Sequence, residues 1–335
     1  RGTATDFKTP YAEQYSFGIQ QQLANGLLLS TDYVANHGVH LLGIVDVNEA
    51  VPGAYVTAGL GIAAGGVTSA NTAKLNLIRP YRGYNAINVV ENIFGSNYNS
   101  LQVQLQKRFR DESLFDVNYT WSKALTDNQT DRSTAVQDRT NIRGEYGRSQ
   151  IDRRHIFSAD AIYKLPFFRQ QHGLVGHVLG GFELSGIASI NTGLPFTPTT
   201  SGVDPGGLGF LGASAAGGRP DQVGDPNSGP GLRTKAHYFN TAAFAAVPAG
   251  QARPGNSRRG VINGPGYQKY DVGLFRNFKV FGEGRSLQFR AEGFNVFNHT
   301  NFATIAVAQT TPSTFGTVTA VRDNRILQVA LKFNY

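Results

Sequence analysis

The sequence predicts an all-β fold, an antiparallel up-and-down transmembrane β-barrel segment of about nine to ten strands with long extracellular loops. Three observations predict it. Apolar residues recur with a period of two along much of the chain. The connections between these segments alternate between short and long. No stretch approaches the roughly 20 consecutive apolar residues of a membrane-crossing helix. That last observation argues against a helical membrane protein and leaves a barrel open, because barrel strands alternate and keep hydropathy low.

The elements follow in order. Tyr15, Phe17 and Ile19 alternate with Ser16, Gly18 and Gln20. Asn25-Gly26 then predicts a type I′ hairpin turn, with Gly26 supplying positive φ, and a return strand running to about Ala35. In the third strand Leu101, Val103 and Leu105 alternate with Gln102, Gln104 and Gln106. The short polar link Arg110, Asp111, Glu112 leads into the fourth, where Phe115, Val117, Tyr119 and Trp121 oppose Asp116, Asn118 and Thr120. The fifth sets Phe157, Ala159, Ala161 and Tyr163 against Ser158, Asp160, Ile162 and Lys164. Residues 182–190 form the sixth and 270–278 the seventh, less regular because Phe275 falls in the polar phase. Leu287, Phe289 and Ala291 alternate with Gln288, Arg290 and Glu292 in the eighth. The ninth carries Leu327, Val329, Leu331, Phe333 and Tyr335 on one face and Gln328, Lys332 and Asn334 on the other.

The connections at 23–27, 110–113 and 279–284 are short, and 166–181 is intermediate. Those at 36–99, 123–153, 191–268 and 296–324 are long. Short periplasmic turns and long outer loops are the rule for outer-membrane barrels, whereas a soluble sandwich has no cause to alternate them. Residues 41–47 and 85–94 are candidate strands inside the first long loop, and the Gly/Pro-rich residues 202–231 read as low-complexity surface loop. An odd strand count that begins in an outer loop is what a cut through a larger barrel gives.

Composition narrows the functions. The 335 residues are read as one all-β domain, 1–335. The absence of Cys excludes disulfides and thiolate metal sites. The absence of Met and the start at Arg1 indicate a processed product or a fragment. The net charge is +8, but Lys and Arg cluster no further than pairs such as Arg153-Arg154 and Arg258-Arg259, which predicts no nucleic-acid partner.

No motif carries catalysis, a cofactor or a metal. GLGFLG at 207–212 matches a dinucleotide fingerprint but follows Asp204-Pro205 in a Gly-rich loop, without the strand and helix such a site needs. His37 and His40, and His172 and His177, lack nearby Cys or a zinc-protease frame. Gln102, Gln104, Gln106, Arg108, Asp160, Arg290 and Glu292 are the candidate lumen-facing residues. Asp160 and Glu292 read either as a buried acid pair or as part of a wet interior balanced by Arg108, Lys164 and Arg290; the second reading is preferred. Tyr163, Phe167, Phe168, Phe278 and Phe281 fall near the predicted periplasmic strand ends, as an interfacial girdle would, and Lys107 beside Phe109 is placed to snorkel there.

Several strings resemble the C-terminal barrel of Oar-like TonB-dependent outer-membrane receptors. They include SNYNSLQVQLQKRF (96–109), FDVNYTWSKALTD (115–127), DRRHIFSADAIYKLPF (152–167) and INTGLPFTP (190–198). YFNTAAFA (238–245), GNSRRGVINGPGYQKYDVGLFRNF (255–278) and LQFRAEGFNVFNHTNF (287–302) continue the series in the family's order. The closing RILQVALKFNY resembles an aromatic-ended assembly signal, with Phe333 and Tyr335 as its aromatics. The resemblance implies a barrel of about 22 strands with a plug, of which residues 1–335 would be a partial barrel, departing from the family in having no plug domain, no coupling motif and no N-terminal strands. It implies as partners outer-membrane lipid, the plug and remaining barrel strands, a TonB-type energy-coupling protein reached through the plug, and the barrel-assembly machinery. The long 191–268 loop would be the ligand-facing surface.

Three functions compete at this stage. One is the barrel portion of an uptake receptor for an unidentified ligand. The alternative is a surface structural or adhesive β-protein assembled from such a fragment. The third is a soluble carbohydrate-binding module. A plug encoded upstream would favour the first, a reading frame starting near Arg1 the second, and aqueous partition without detergent the third.

Overall fold

The computed structural model describes residues 2–129, 136–168, 173–209, 218–279 and 285–335. Nine strands form its main sheet: β1 Tyr11–Ala24, β2 Leu27–Asp46, β3 Asn88–Arg108, β4 Leu114–Thr126, β5 His155–Lys164, β6 Phe182–Asn191, β7 Tyr267–Lys279, β8 Ser286–Phe294 and β9 Ile326–Asn334. Each is hydrogen-bonded to its sequence neighbours, so the order is strictly up and down, and all these pairings are antiparallel. Gly2–Thr3 and Gly147–Arg148 add short pairings to β3 and β4. Within the described residues β1 and β9 are the two edges; the sheet is not closed on itself.

The register gives the sheet two chemically distinct faces. One row runs Gln20, Ser30, Gln104, Asn118, Ser158, Ser189, Lys269 across seven strands. An adjacent row on the opposite face runs Leu29, Leu105, Val117, Ala159, Ala188, Tyr270. Because side chains alternate along a strand, one register satisfies both rows at once, and a slip by one residue would invert all of them. Large apolar groups on the second face, among them Phe17, Tyr33, Trp121, Val329 and Leu331, are exposed. Such an expanse requires a non-aqueous neighbour.

Three sequence expectations are corrected. The candidate strands at 41–47 and 85–94 are not separate loop strands. They are the upper parts of β2 and β3, which pair with each other as far as Asp46 and Asn88, shrinking the first long loop to 47–87. Bulges between Gly38 and Gly43, with His40 at φ 54°, break the period there and hide the continuity. The turn after β1 is not type I′. Gly26 has φ 68° while Asn25 is not in the left-handed region, and the strand carries a bulge between Gln22 and Ala24. A Cβ at Gly26 would also strike the Arg108 carbonyl oxygen. The last strand ends at Asn334, one residue short of Tyr335.

The irregular phase of β7 has a physical explanation. Phe275 pairs with Arg290 and Glu183 on the polar face, and the Arg290 guanidinium lies over its ring at 5.4 Å. Arg276 in turn occupies the apolar row between Phe182 and Phe289. At the end bearing the short turns, Tyr163, Phe167 and Phe168 are exposed, and Phe278 packs over Arg276 at 4.2 Å. Phe281 lies outside the described residues. Lys107 bonds the Asn25 carbonyl at 2.7 Å and sits over Phe109.

Candidate functional site

Most of the buried apolar core lies in the long loops, and a small cluster of Val45 and Phe94 with Val136 reaches the upper ends of β2 and β3. Tyr238, Phe239, Phe244, Ile262, Ile305 and Val318 form the core's largest cluster, with Phe239 meeting Phe315 edge-on at 5.1 Å. Short strand pairs stitch the loops together. Val67–Thr68 joins Val203–Asp204, Pro195–Phe196 joins Ile262–Asn263, Asp221–Gln222 joins Phe244–Ala245, and Phe302–Ile305 joins Val318–Val321. The result is a folded cap over the long-loop end of the sheet. Residues 202–231 are therefore not simply a surface loop: Asp204, Leu208, Arg219 and Asp221 are buried. Residues 210–212 of the GLGFLG string lie outside the described residues, and its Gly207 and Gly209 N–H groups donate to the Asp204 carboxylate at 2.9 and 2.7 Å.

Inside the cap two long connections, β4 to β5 and β6 to β7, converge on Glu145, which is only 1% exposed. Arg219 donates to both its oxygens, at 2.8 and 3.0 Å, and Arg259 Nε donates at 2.5 Å. The Gln137 N–H completes the carboxylate's shell at 2.8 Å, and Gln137 Oε1 accepts the Arg219 N–H at 2.8 Å. Burial alone would raise the Glu145 pKa, but the Arg219 hydrogen bonds and the charges of both arginines hold it below the usual carboxylate range. Nearby, Arg253 forks onto Asp221 with two bonds of 2.7 Å, which likewise lowers that carboxyl.

These groups border a polar cavity of about 430 Å³, lined by Gln137, Asn141, Glu145, Arg219, Arg253 and Ser257 among others. A second cavity of about 360 Å³ lies on the other side of Arg219, lined by Arg148, Arg259, Phe196 and Thr197. Among the described residues, Arg219 Nε and Ser257 Oγ are buried without a hydrogen-bond partner. Unsatisfied buried donors beside a void are groups that a polar ligand or water would complete.

The residues singled out from the sequence lie elsewhere, on the polar face of the sheet. Gln104 and Gln106 donate to Asp116 at 2.9 and 3.0 Å, and Asn118 joins them at 2.7 Å. Gln102 donates to Ser100 Oγ at 3.2 Å. Asp160 sits directly opposite Asp116. Asp160 forms none of the described ion pairs with Arg108, Lys164 or Arg290. Lys164 instead pairs with Glu112 in the turn, and Arg290 bonds Gln288 at 2.7 Å. Glu292 accepts from Gln328 at 2.8 Å, and Arg108 lies exposed at the strand end. Phe333 and Tyr335 stack at 6.4 Å on the outer edge. Sequence reasoning missed Glu145, Arg219 and Ser257; the one available signal was the Arg258-Arg259 pair, which marks the loop but not its partner. No group of three or more His, Cys, Asp or Glu able to hold a metal occurs among the described residues, and no described helix is long and apolar enough to cross a membrane.

Comparison with known proteins gives a family and structural relatives. Residues 1–328 match the outer membrane beta barrel domain family. The fold resembles the crystal structure of the outer membrane transporter YddB from Escherichia coli, with a TM-score of 0.52 and 10% identity over 99% of this chain. This chain spans about a third of that structure's length (34%). No curated protein matches the sequence.

Proposed function

The chain belongs to the outer membrane beta barrel domain family and resides in the outer membrane, and on that premise we propose that it is the barrel portion of a TonB-dependent receptor for an unidentified ligand. The observation that carries this reading is the two-faced wall beneath a folded cap. The apolar face meets lipid. The row of Gln102, Gln104, Gln106, Arg108, Asp160, Arg290 and Glu292 lines a wet lumen. The cap cavity around Arg219 and Ser257 faces the ligand, its unsatisfied donors suited to oxygen-rich polar groups. Residues 1–335 act as one domain, and strands from the rest of a larger barrel occupy the gap between β1 and β9. A plug fills the lumen, and an inner-membrane coupling protein acts through the plug.

The test uses a lumen cysteine on this Cys-free chain. Gln104→Cys is expected to react with a small hydrophilic maleimide in intact cells. Its rate should differ between energised cells and cells lacking the coupling protein, because plug movement changes access. An unreactive thiol would contradict the wet lumen, and equal rates in both strains would contradict energy coupling. A surface structural β-protein, the competing reading, predicts a reactive thiol with no dependence on the coupling protein.

A further inference from the structure

The connection between β5 and β6 carries a short helix, Gly173–Leu179, at the end of the sheet that bears the short turns. The wall holds it through Arg276. That side chain belongs to the apolar row, flanked in register by Phe182 and Phe289, yet it is only 3% exposed. Its guanidinium donates to the Val178 carbonyl at 2.7 Å and to the His177 carbonyl, and it lies under the rings of Phe278 and Phe182 at 4.2 and 5.2 Å. A cation on a lipid-facing row is unfavourable unless shielded. The carbonyls at a helix C-terminus, otherwise unpaired, are suitable partners.

The helix touches the protein through glycine. Gly176 and Gly180 are buried, and a Cβ at Gly180 would lie 2.1 Å from the Phe168 carbonyl oxygen. The rest of the helix surface is bare and mostly apolar: Leu174 is 83% exposed, Val175 56%, Val178 53% and Leu179 53%, with His177 the one exposed polar side chain among them. Phe167 and Phe168 stand exposed on the same connection. Large apolar side chains on one short helix do not remain in water without an occupant. The surface they form is continuous with the apolar face of the wall, so the neighbour of that face is also theirs.

We propose that Gly173–Leu179 is an in-plane membrane anchor, clamped to the outside of the barrel by Arg276 and immersed by Leu174, Val175, Val178 and Leu179 in the lipid leaflet at the short-turn end. The proposal rests on the reading that the apolar face of the wall meets lipid. It adds that the turn between β5 and β6 is bound to the membrane rather than free in the periplasm, fixing the depth of the barrel rim.

Because the chain has no Cys, single cysteines carry a spin label without background. Leu174→Cys and Val178→Cys would be compared with Val272→Cys on the wall and Ala249→Cys in the cap, with the protein in outer-membrane vesicles. The two helix positions should match Val272: accessible to oxygen and closed to a water-soluble nickel chelate. Chelate access like that at Ala249 would place the helix in water and overturn the proposal. Shielding from both reagents would mean that protein covers it, which also overturns it. If Val272 itself admits the chelate, the lipid-facing reading of the wall fails and takes the anchor with it. Arg276→Leu, which keeps the wall apolar, should abolish chelate exclusion at Leu174 while leaving Val272 unchanged; unchanged exclusion at Leu174 would remove Arg276 as the clamp.

Discussion

Two buried glutamates in the cap respond to pH in opposite senses. Glu49 has no ion-pair partner among the described salt bridges. Its Oε2 accepts the Arg139 N–H at 3.1 Å, and its Oε1 is buried without a partner. Burial pushes its pKa up to about 9, with the Arg139 hydrogen bond opposing and Asp138, Asp46 and Asp204 reinforcing. The folded cap therefore keeps a proton that the unfolded chain releases near the ordinary glutamate value of about 4.3. Its stability is full below that value and declines as pH rises toward 9. Glu49→Gln should raise the thermal midpoint of the detergent-solubilised protein at pH 8, by the equivalent of about 1–3 kcal/mol, and change nothing at pH 4. An equal effect at both pH values would show that the proton is not involved. Glu145 behaves conversely. Its folded pKa is depressed, so the stability it supplies is present above the ordinary glutamate value and lost as pH falls through the depressed one. Glu145→Ala leaves Arg219 and Arg259 facing each other in the interior and should cost about 3–5 kcal/mol at pH 7. Rapid proteolysis of the cap with the wall intact is the expected readout, and resistance like that of the parent would mean that the cap does not depend on this carboxylate.

At the scale of the strand, the two faces of β3 set the sharpest contrast. Val103 lies between Thr31 and Tyr119 on the apolar face, and Gln104 between Ser30 and Asn118 on the polar one. Val103→Arg should cost roughly 2–4 kcal/mol if it sits near the lipid midplane, while Gln104→Arg should be nearly neutral. Equal damage in urea titrations of the two variants would indicate a dry core on both sides and defeat the barrel reading. This contrast was legible in the sequence because a period of two needs only neighbouring residues to be read, and all nine strands were found from it. The upper halves of β2 and β3 were not recognised as continuations, since bulges near Gly38 and Leu41 interrupt the phase. Arg276 showed only as an irregularity beside Phe275, because the helix that shields it is separated from it by about a hundred residues of sequence (99 from His177). The cap was illegible for the same reason: Glu145 meets partners 74 and 114 residues away, and no local pattern encodes such a meeting.

At the scale of the whole molecule, the sheet formed by the described residues has two free edges, β1 and β9, whose backbone groups lipid cannot satisfy. Some strand must cover each. On β9 the outward row of Leu327, Val329, Leu331 and Phe333 continues the lipid-facing surface, and Phe333 stacks on Tyr335 at the short-turn end. An aromatic pair at that level suits the interface between hydrocarbon and headgroups. If this edge is also where assembly into the membrane begins, then the two rings matter before folding is complete, and their loss acts on insertion more than on the stability of inserted protein. Replacing both, Phe333→Ala with Tyr335→Ala, should reduce the amount of protein in the outer-membrane fraction at matched synthesis. The inserted remainder should keep the thermal midpoint of the parent. A control pair in an exposed stretch of the cap, Ser228→Ala with Pro230→Ala, should leave the amount unchanged. If the two double variants accumulate alike, β9 carries no assembly signal. If instead the inserted aromatic variant melts early, the rings are girdle residues that stabilise the finished barrel, and the signal lies in another strand.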